Sequence, residues 1–356
     1  MPSTRNLLHW LRAMAGRRIG VLGDFMLDAY VWGHARRLSP EAAVPVVDFA
    51  GESHAAGGAG NVAANLAALG ARVVAFGVSG TDPEAQRLHA ALTGAGVDAR
   101  GVLQDSSRPT TLKTRIIARH QQIVRVDRES RAPISPALEK RMIARVAAAL
   151  HAARGAAGLD ALVISDYDKG LVTEELVRRV LALCAKLAVP VAVKPKWSML
   201  ATYPGATAIV LNAAEASFLV TQPVEEDESA QSAGAKLLEK FKSSAVVLTR
   251  GARGMMVFEA GRPRGFSIPA RGQEISFGHR QAPQRGGQPG SRAGLEVFDL
   301  TGAGDTVLAT VGLAVAAGAP IREAAILGNA AAGIVVTKLG AATVSPAELA
   351  ALLRSL

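Results

Sequence analysis

Short runs of Val, Ile and Leu alternate along the chain with segments whose apolar residues recur every three or four positions, which predicts strands and helices in turn. "IGVL", within residues 17–33, reads as a buried strand ending at Gly23 and Asp24. A helix follows in "GGAGNVAANLAALGA", with Val62, Leu66 and Leu69 at helical spacing, then the strand "RVVAFGVSG" and the glycine-stopped helix "PEAQRLHAALTGAGV". The rhythm continues through "LDALVISDY", "TEELVRRVLALCAKLA", "VPVAVKP", "ATAIVLN", "AAEASFLV", "SAVVLTRG" and "GMMVFEAG". Two apolar helices, "TVLATVGLAVAAG" and "IREAAILGNAAAGIVVTKLG", close it. Continuous apolar strands alternating with helices predict an α/β fold whose mostly parallel sheet is covered on both faces.

Three stretches depart from that rhythm. "YVWGHARRLSPEAAVPVVDF" and "TTLKTRIIARHQQIVRVDRE" alternate polar and apolar residues at period two, as half-buried antiparallel strands do. They are expected to form a small β-lid, from about residues 29–56 and 110–128. Residues 271–296 are rich in Gly, Gln, Pro and Arg without helical periodicity, and read as a flexible insertion.

Composition narrows the function. A chain of 356 residues fits one main α/β domain with an appendage, and no apolar run approaches the roughly 20 residues of a membrane-spanning helix. The N-terminal stretch lacks a signal-type apolar core and reads as a short leading helix, so a cytoplasmic protein without a membrane partner is expected. Cys184, the only cysteine, has helical apolar neighbours and reads as a small buried hydrophobe. The formal charge of +10 suits either nucleic acid or phosphorylated ligands. Scattered arginines and 4% aromatic residues favour phosphorylated ligands and leave no nucleic-acid partner expected.

The candidate chemistry centres on "VFDLTGAGDTVLAT", residues 297–310. Val307, Leu308, Val311, Ala314 and Val315 start a helix just after "TGAG". Free amides of a helix's first turn and its dipole form an anion site, and glycines let the backbone approach the anion closely. A Walker A loop is absent, and so is the third glycine of a dinucleotide fingerprint. Asp305 beside such a phosphate cradle suits the orientation and deprotonation of an attacking hydroxyl. Spacing alone leaves a helix-start acid as an equal reading.

"DLTGAGDT" resembles the C-terminal signature of the PfkB, or ribokinase-like, carbohydrate kinases. The resemblance extends over nearly the whole chain, and "RLSPEAAVPVV" and "HQQIVRVDRE" point to the branch of D-glycero-β-D-manno-heptose 7-phosphate kinases. It implies a ribokinase-like three-layer sandwich, residues 1–356 forming a single kinase domain. It also implies ATP and Mg²⁺, and phosphorylation of the C1 hydroxyl to the 1,7-bisphosphate on the way to lipopolysaccharide heptose. Many relatives carry a nucleotidylyltransferase domain behind the kinase; the end at "PAELAALLRSL" suggests a monofunctional chain. Another sugar or sugar phosphate, or a binding protein with reduced catalysis, is the alternative.

The resemblance implies Asp305 as the base, with Gly302, Ala303 and Gly304 as the anion hole. It gives Asp28 to the sugar hydroxyls; Gly57 and Gly58 permit close sugar approach, and Asn61 offers both donor and acceptor. In the lid, Lys113, Arg115, Arg119 and Arg125 share one strand parity and suit either a clamp on the distal phosphate or a solvated basic face. Lys169 and Lys196 are further phosphate candidates at the ligand edge of an α/β sheet. Asp166 suits either Mg²⁺ or loop capping. Asn212, Ala213, Ala214 and Glu215 match the family's N-x-x-E motif, linked to Mg²⁺ and the nucleotide phosphates. Thr249, Gly251 and Gly254 fall in the segment bordering the nucleotide, and Asn329 on the helix that helps enclose adenine. The branch's usual Asp-Pro-Lys is Lys194-Pro195-Lys196 here, a reversed charge expected to alter Mg²⁺ or substrate handling. Exposed lid strands are expected to pair between two subunits of a homodimer.

Overall fold

The computed structural model describes residues 2–118, 121–152, 158–196, 203–270, 302–338 and 342–355. Arg119 and the insertion expected at 271–296 lie outside the described residues. After the leading helix α1 (Thr4–Ala13), β1 (Arg18–Gly23) passes through Asp24 into the hairpin of β2 (Phe25–Leu38) and β3 (Pro45–Gly58). Next come α2 (Ala59–Ala68), β4 (Arg72–Ser79), α3 (Pro83–Gly94) and β5 (Val97–Gln104), then a second hairpin, β6 (Leu112–Ala118) and β7 (Gln121–Arg128). The alternation resumes with α4 (Pro136–His151), β8 (Ala161–Ser165), α5 (Glu174–Lys186), β9 (Val191–Lys194), β10 (Ala208–Asn212), α6 (Ala213–Val220), α7 (Asp227–Phe241) and β11 (Ala245–Thr249). The chain closes with β12 (Met255–Glu259), β13 (Phe266–Ile268), α8 (Ala303–Ala316), α9 (Ile321–Val335) and α10 (Pro346–Arg354).

The main sheet runs β13-β12-β11-β10-β9-β8-β1-β4-β5 and is parallel from β5 to β11. β12 and β13 close one edge antiparallel. The central strands are largely apolar because each side feeds a different core. Ala161 and Val163 of β8 pack with α2, α8 and α9, whereas Leu162 and Ile164 pack with α4, α5 and α7. This is the expected three-layer sandwich. Among the described residues no helix is long and apolar enough to cross a membrane.

The two hairpins form a second sheet, in the order β3-β2-β6-β7. Each hairpin is antiparallel, but β2 and β6 pair in parallel, so the lid is not wholly antiparallel. The reason is topological: β2 and β6 follow β1 and β5, strands that run parallel on either side of β4 in the main sheet, and both run outward from its carboxyl edge. That edge gathers the loop after β8, the end of β9 and the starts of α2 and α8.

Candidate active site

Gly302 starts α8 with φ +83°, and a Cβ there would lie 2.6 Å from Asn61 Nδ2. Glycine therefore both reaches the left-handed turn and lets α8 approach α2. The amides of Asp305 and Thr306 donate to Gly302 O at 3.0 and 2.9 Å. Asp305 is buried at 6% exposure, and three side chains donate to its carboxylate. Asn61 Nδ2 reaches Oδ2 at 3.0 Å, while Tyr167 Oη and Lys194 Nζ reach Oδ1 at 2.5 and 2.8 Å. A polar chain holds Asn61: its Oδ1 accepts from Asn65 Nδ2 at 3.2 Å, and Asn65 Oδ1 accepts from Thr306 Oγ1 at 3.1 Å. With its oxygen engaged there, the Asn61 amide turns its nitrogen to Asp305.

Burial and then the Asp305 carboxylate push the Tyr167 phenol well above its ordinary range, so it donates as a neutral hydroxyl. Burial works against the charge of Lys194, but Asp305 and Tyr167 outweigh it and hold the ammonium above the usual lysine range. The ammonium also lies 5.4 Å from the centroid of the Tyr167 ring.

The loop carrying Tyr167 is tied to the end of β1. Buried Asp24 accepts the amides of Tyr167, Lys169 and Leu171 at 2.8, 3.2 and 3.4 Å. Asp166 is buried, with Oδ1 accepting from the Asp168 amide at 2.8 Å. Its Oδ2 accepts from Tyr203 Oη at 3.0 Å and the Lys196 amide at 3.3 Å. Burial pushes the Asp166 carboxyl up, and the residue stands outside the cavity lining. Lys169 also stands outside that lining and pairs with Glu129 at 2.7 Å.

Asp305, Asn61, Tyr167 and Lys194 line a polar cavity of about 410 Å³. Its lid side presents Asp28, Lys113, Arg115 and Arg125. Arg115 pairs with Asp28 at 2.6 Å, Lys113 with Asp127 at 2.8 Å and Glu129 at 3.3 Å, and Arg125 with Asp127 at 2.9 Å. Gly58 lines the same cavity; a Cβ on Gly57 would lie 2.3 Å from Asp28 Oδ2. Asn212 caps α6, accepting the Glu215 amide at 2.7 Å, while Glu215 Oε2 accepts the Asn212 amide at 2.9 Å. Ala213 and Ala214 fill the first turn between them.

A second, mostly apolar slot of about 160 Å³ meets the first at Thr249 and Gly304. Gly251, Gly254, Ala303, Val307, Asn329 and Val336 line it, and Asn329 Nδ2 donates to Pro269 O at 2.9 Å. A larger groove of about 840 Å³ between α3, β5 and α4 shares no residue with either. The sequence-predicted residues thus assemble at one edge, with Asp166, Lys169 and Lys196 behind the lining. Tyr167, Asp24, Asn65 and Thr306 were missed; Asn65, a polar residue one turn after Asn61 in an apolar helix, was the readable signal.

Mg²⁺ in phosphoryl transfer is usually held by one or two carboxylates plus substrate phosphates. Among the described residues no group of three or more His, Cys, Asp and Glu is placed to hold a metal. Of the acids lining the cavity, Asp28 pairs with Arg115, Asp305 with Lys194, and Glu215 Oε1 has Lys196 Nζ at 3.9 Å. The residues fit a metal carried by the phosphates, with Glu215 as the protein's acid.

Comparison with known proteins places this geometry. The chain is 44% identical over 329 residues to the "Bifunctional protein HldE" of Geobacter sulfurreducens, covering 92% of this chain and 61% of that protein. It is 40% identical over 337 residues to the protein of the same name from Desulfatibacillum aliphaticivorans, covering 95% and 63%. The chain thus spans about three-fifths of the length of these relatives. Among solved structures, Escherichia coli phosphofructokinase-2 in complex with fructose-6-phosphate superposes with TM-score 0.72 at 17% identity, covering 96% of this chain and 99% of that one. Arabidopsis thaliana ribokinase complexed with ribose and ATP gives 0.68 at 20%, covering 95% and 99%. These structures share the sandwich, and with residues 18–348 matching the pfkB family carbohydrate kinase pattern, the chain belongs to that family.

Proposed function

We propose that the protein transfers the terminal phosphoryl group of ATP to the C1 hydroxyl of D-glycero-β-D-manno-heptose 7-phosphate, giving the 1,7-bisphosphate. The carrying observation is the junction of two cavities at the first turn of α8, where Asp305 faces the polar one and Gly304 borders both. The apolar slot suits the adenine ring, and the polar cavity the sugar. The heptose assignment draws on the branch motifs and on relatives named HldE.

In this reading the C1 oxygen attacks the γ-phosphorus, the bond to the β–γ bridging oxygen breaks with its electron pair leaving on ADP, and Asp305 takes the proton. Among the described residues, Oδ1 of Asp305 already accepts from Tyr167 and Lys194, whereas Oδ2 accepts only from Asn61. Oδ2 is therefore the oxygen with a lone pair open to the sugar hydroxyl. The free amides at the start of α8 receive the phosphoryl oxygens. Asp28 and Arg115 orient sugar hydroxyls, and Lys113 and Arg125 turn from Asp127 toward the 7-phosphate. Glu215 would hold Mg²⁺, which supplies neutralisation of phosphate charge when bound. The lid's exposed Trp32, Leu38, Phe49, Val124 and Val126 support a homodimer through this sheet.

ADP release measured across sugar phosphates tests the assignment. Turnover on heptose 7-phosphate is expected; turnover confined to fructose- or ribose-type substrates would overturn it. Asp305→Asn is expected to keep ATP binding and lower kcat by about 10²–10⁴-fold, the range for a general base. A near-normal rate would remove Asp305 from that role.

A further inference from the structure

Lys194 ends β9 with its side chain 18% exposed, on the wall of the 410 Å³ cavity. Its ammonium touches Asp305 Oδ1 at 2.8 Å, and a Cβ built on Gly304 would lie 3.2 Å from it. The charge therefore sits between the base and the first-turn backbone of α8. Among the described residues lining this cavity, the other cations, Lys113, Arg115 and Arg125, come from the lid and pair with acids of the lid sheet or the turn beyond it. Lys194 is the cation supplied by the main sheet. An ammonium has three N–H donors, and one rests on Asp305.

We propose that Lys194 is a catalytic residue that binds the terminal phosphoryl group of the nucleotide while holding Asp305, a built-in cation at the anion socket. This rests on the kinase reading above. Phosphoryl transfer gains chiefly from alignment and charge neutralisation, and Lys194 supplies both at the one place where base and phosphoryl group meet. A phosphate drawn to this ammonium competes with Asp305 for it. The protein should accordingly recognise the terminal phosphate of ATP without a divalent cation.

Calorimetry with ATP and with ADP in EDTA tests this, because only ATP carries the γ-phosphate. The wild type should bind ATP more tightly than ADP, and Lys194→Met should lose about 10-fold or more of that preference, the size of one charge-assisted hydrogen bond, with ADP affinity little changed. Asp305→Asn removes the competing anion and should strengthen metal-free ATP binding while leaving ADP unaffected. This arm stands even if Lys194→Met fails to fold. A wild type with no metal-free preference for ATP, a Lys194→Met that keeps the preference, or an Asp305→Asn that weakens ATP binding would each overturn the proposal. If heptose phosphate turns over while these ratios fail, the kinase reading stands and the Lys194 role falls. If no sugar turns over, the ratios still report on Lys194.

Discussion

Replacing Asp24 by asparagine tests whether a buried carboxyl ties down the loop that carries Tyr167. Asp24 is 4% exposed and accepts three amides of that loop. Burial, and then the Asp166 carboxyl, push its pKa from the ordinary 3.8 to about 6, against the lowering effect of the three amides. The folded carboxyl thus holds its proton more tightly than the unfolded one. Its contribution to stability is fully present below pH 3.8 and is lost as pH rises through about 6. At pH 5 the folded group is mostly protonated and the unfolded one mostly ionised, which favours folding by about 1.4 kcal/mol relative to pH 8. Asp24→Asn abolishes this titration and leaves one amide oxygen for three N–H donors. The variant is expected to be less stable than wild type at pH 5, and the gap should shrink by about 1.4 kcal/mol at pH 8. Urea unfolding of both proteins at the two pH values reads that difference directly. A gap identical at pH 5 and pH 8 would refute the raised pKa and the buried-clamp argument built on it.

Two further perturbations address the cavity walls. Gly302→Ala meets a φ of +83° and a Cβ 2.6 Å from Asn61 Nδ2; it should cost about 1 kcal/mol in backbone strain and, by moving Asn61 from Asp305, lower kcat about 10-fold or more. Initial-rate kinetics with an unchanged kcat would detach Asn61 from the base. Arg115→Met leaves the buried Asp28 unpaired, which should cost about 3 kcal/mol of stability and raise KM for the sugar phosphate with KM for ATP within about twofold. Equal rises in both KM values would move Arg115 away from sugar recognition.

The main sheet was legible because its central strands are buried on both faces, which leaves continuous apolar runs such as "ALVIS" between helices. The lid was legible from its period-two alternation, which β2 keeps beyond Ala29, although β7, read as half-buried, is exposed throughout. What escaped were features that local pattern does not encode. α4 and α7 went unread, although each packs one face on the sheet with Val146 and Leu237. The parallel pairing of β2 with β6 depends on where β1 and β5 end in space, and no residue in either hairpin records it.

The site divides along the same line. Asp305 and its small neighbours form a contiguous motif; the shared parity of Lys113, Arg115, Arg119 and Arg125 left a phosphate clamp and a solvated basic face both open, and Lys113, Arg115 and Arg125 line the cavity while Arg119 lies outside the described residues. The groups that give Asp305 its environment come instead from three remote elements: Asn61 at the start of α2, Tyr167 after β8 and Lys194 at the end of β9. Their sequence separations from Asp305 are 244, 138 and 111 residues, so only the strand order brings them together. Lys194 illustrates the point most sharply. In the sequence it is a charge reversed from the Asp-Pro-Lys that the family resemblance implies; in the fold, that charge meets the carboxylate of Asp305 and is itself compensated. Whether the ion pair is a structural repair or a phosphoryl-binding device depends on the ammonium's other two donors. Gly304 has no side chain to fill the space 3.2 Å from Nζ, so the ammonium stays open on the side of the first turn of α8, where a phosphate would enter.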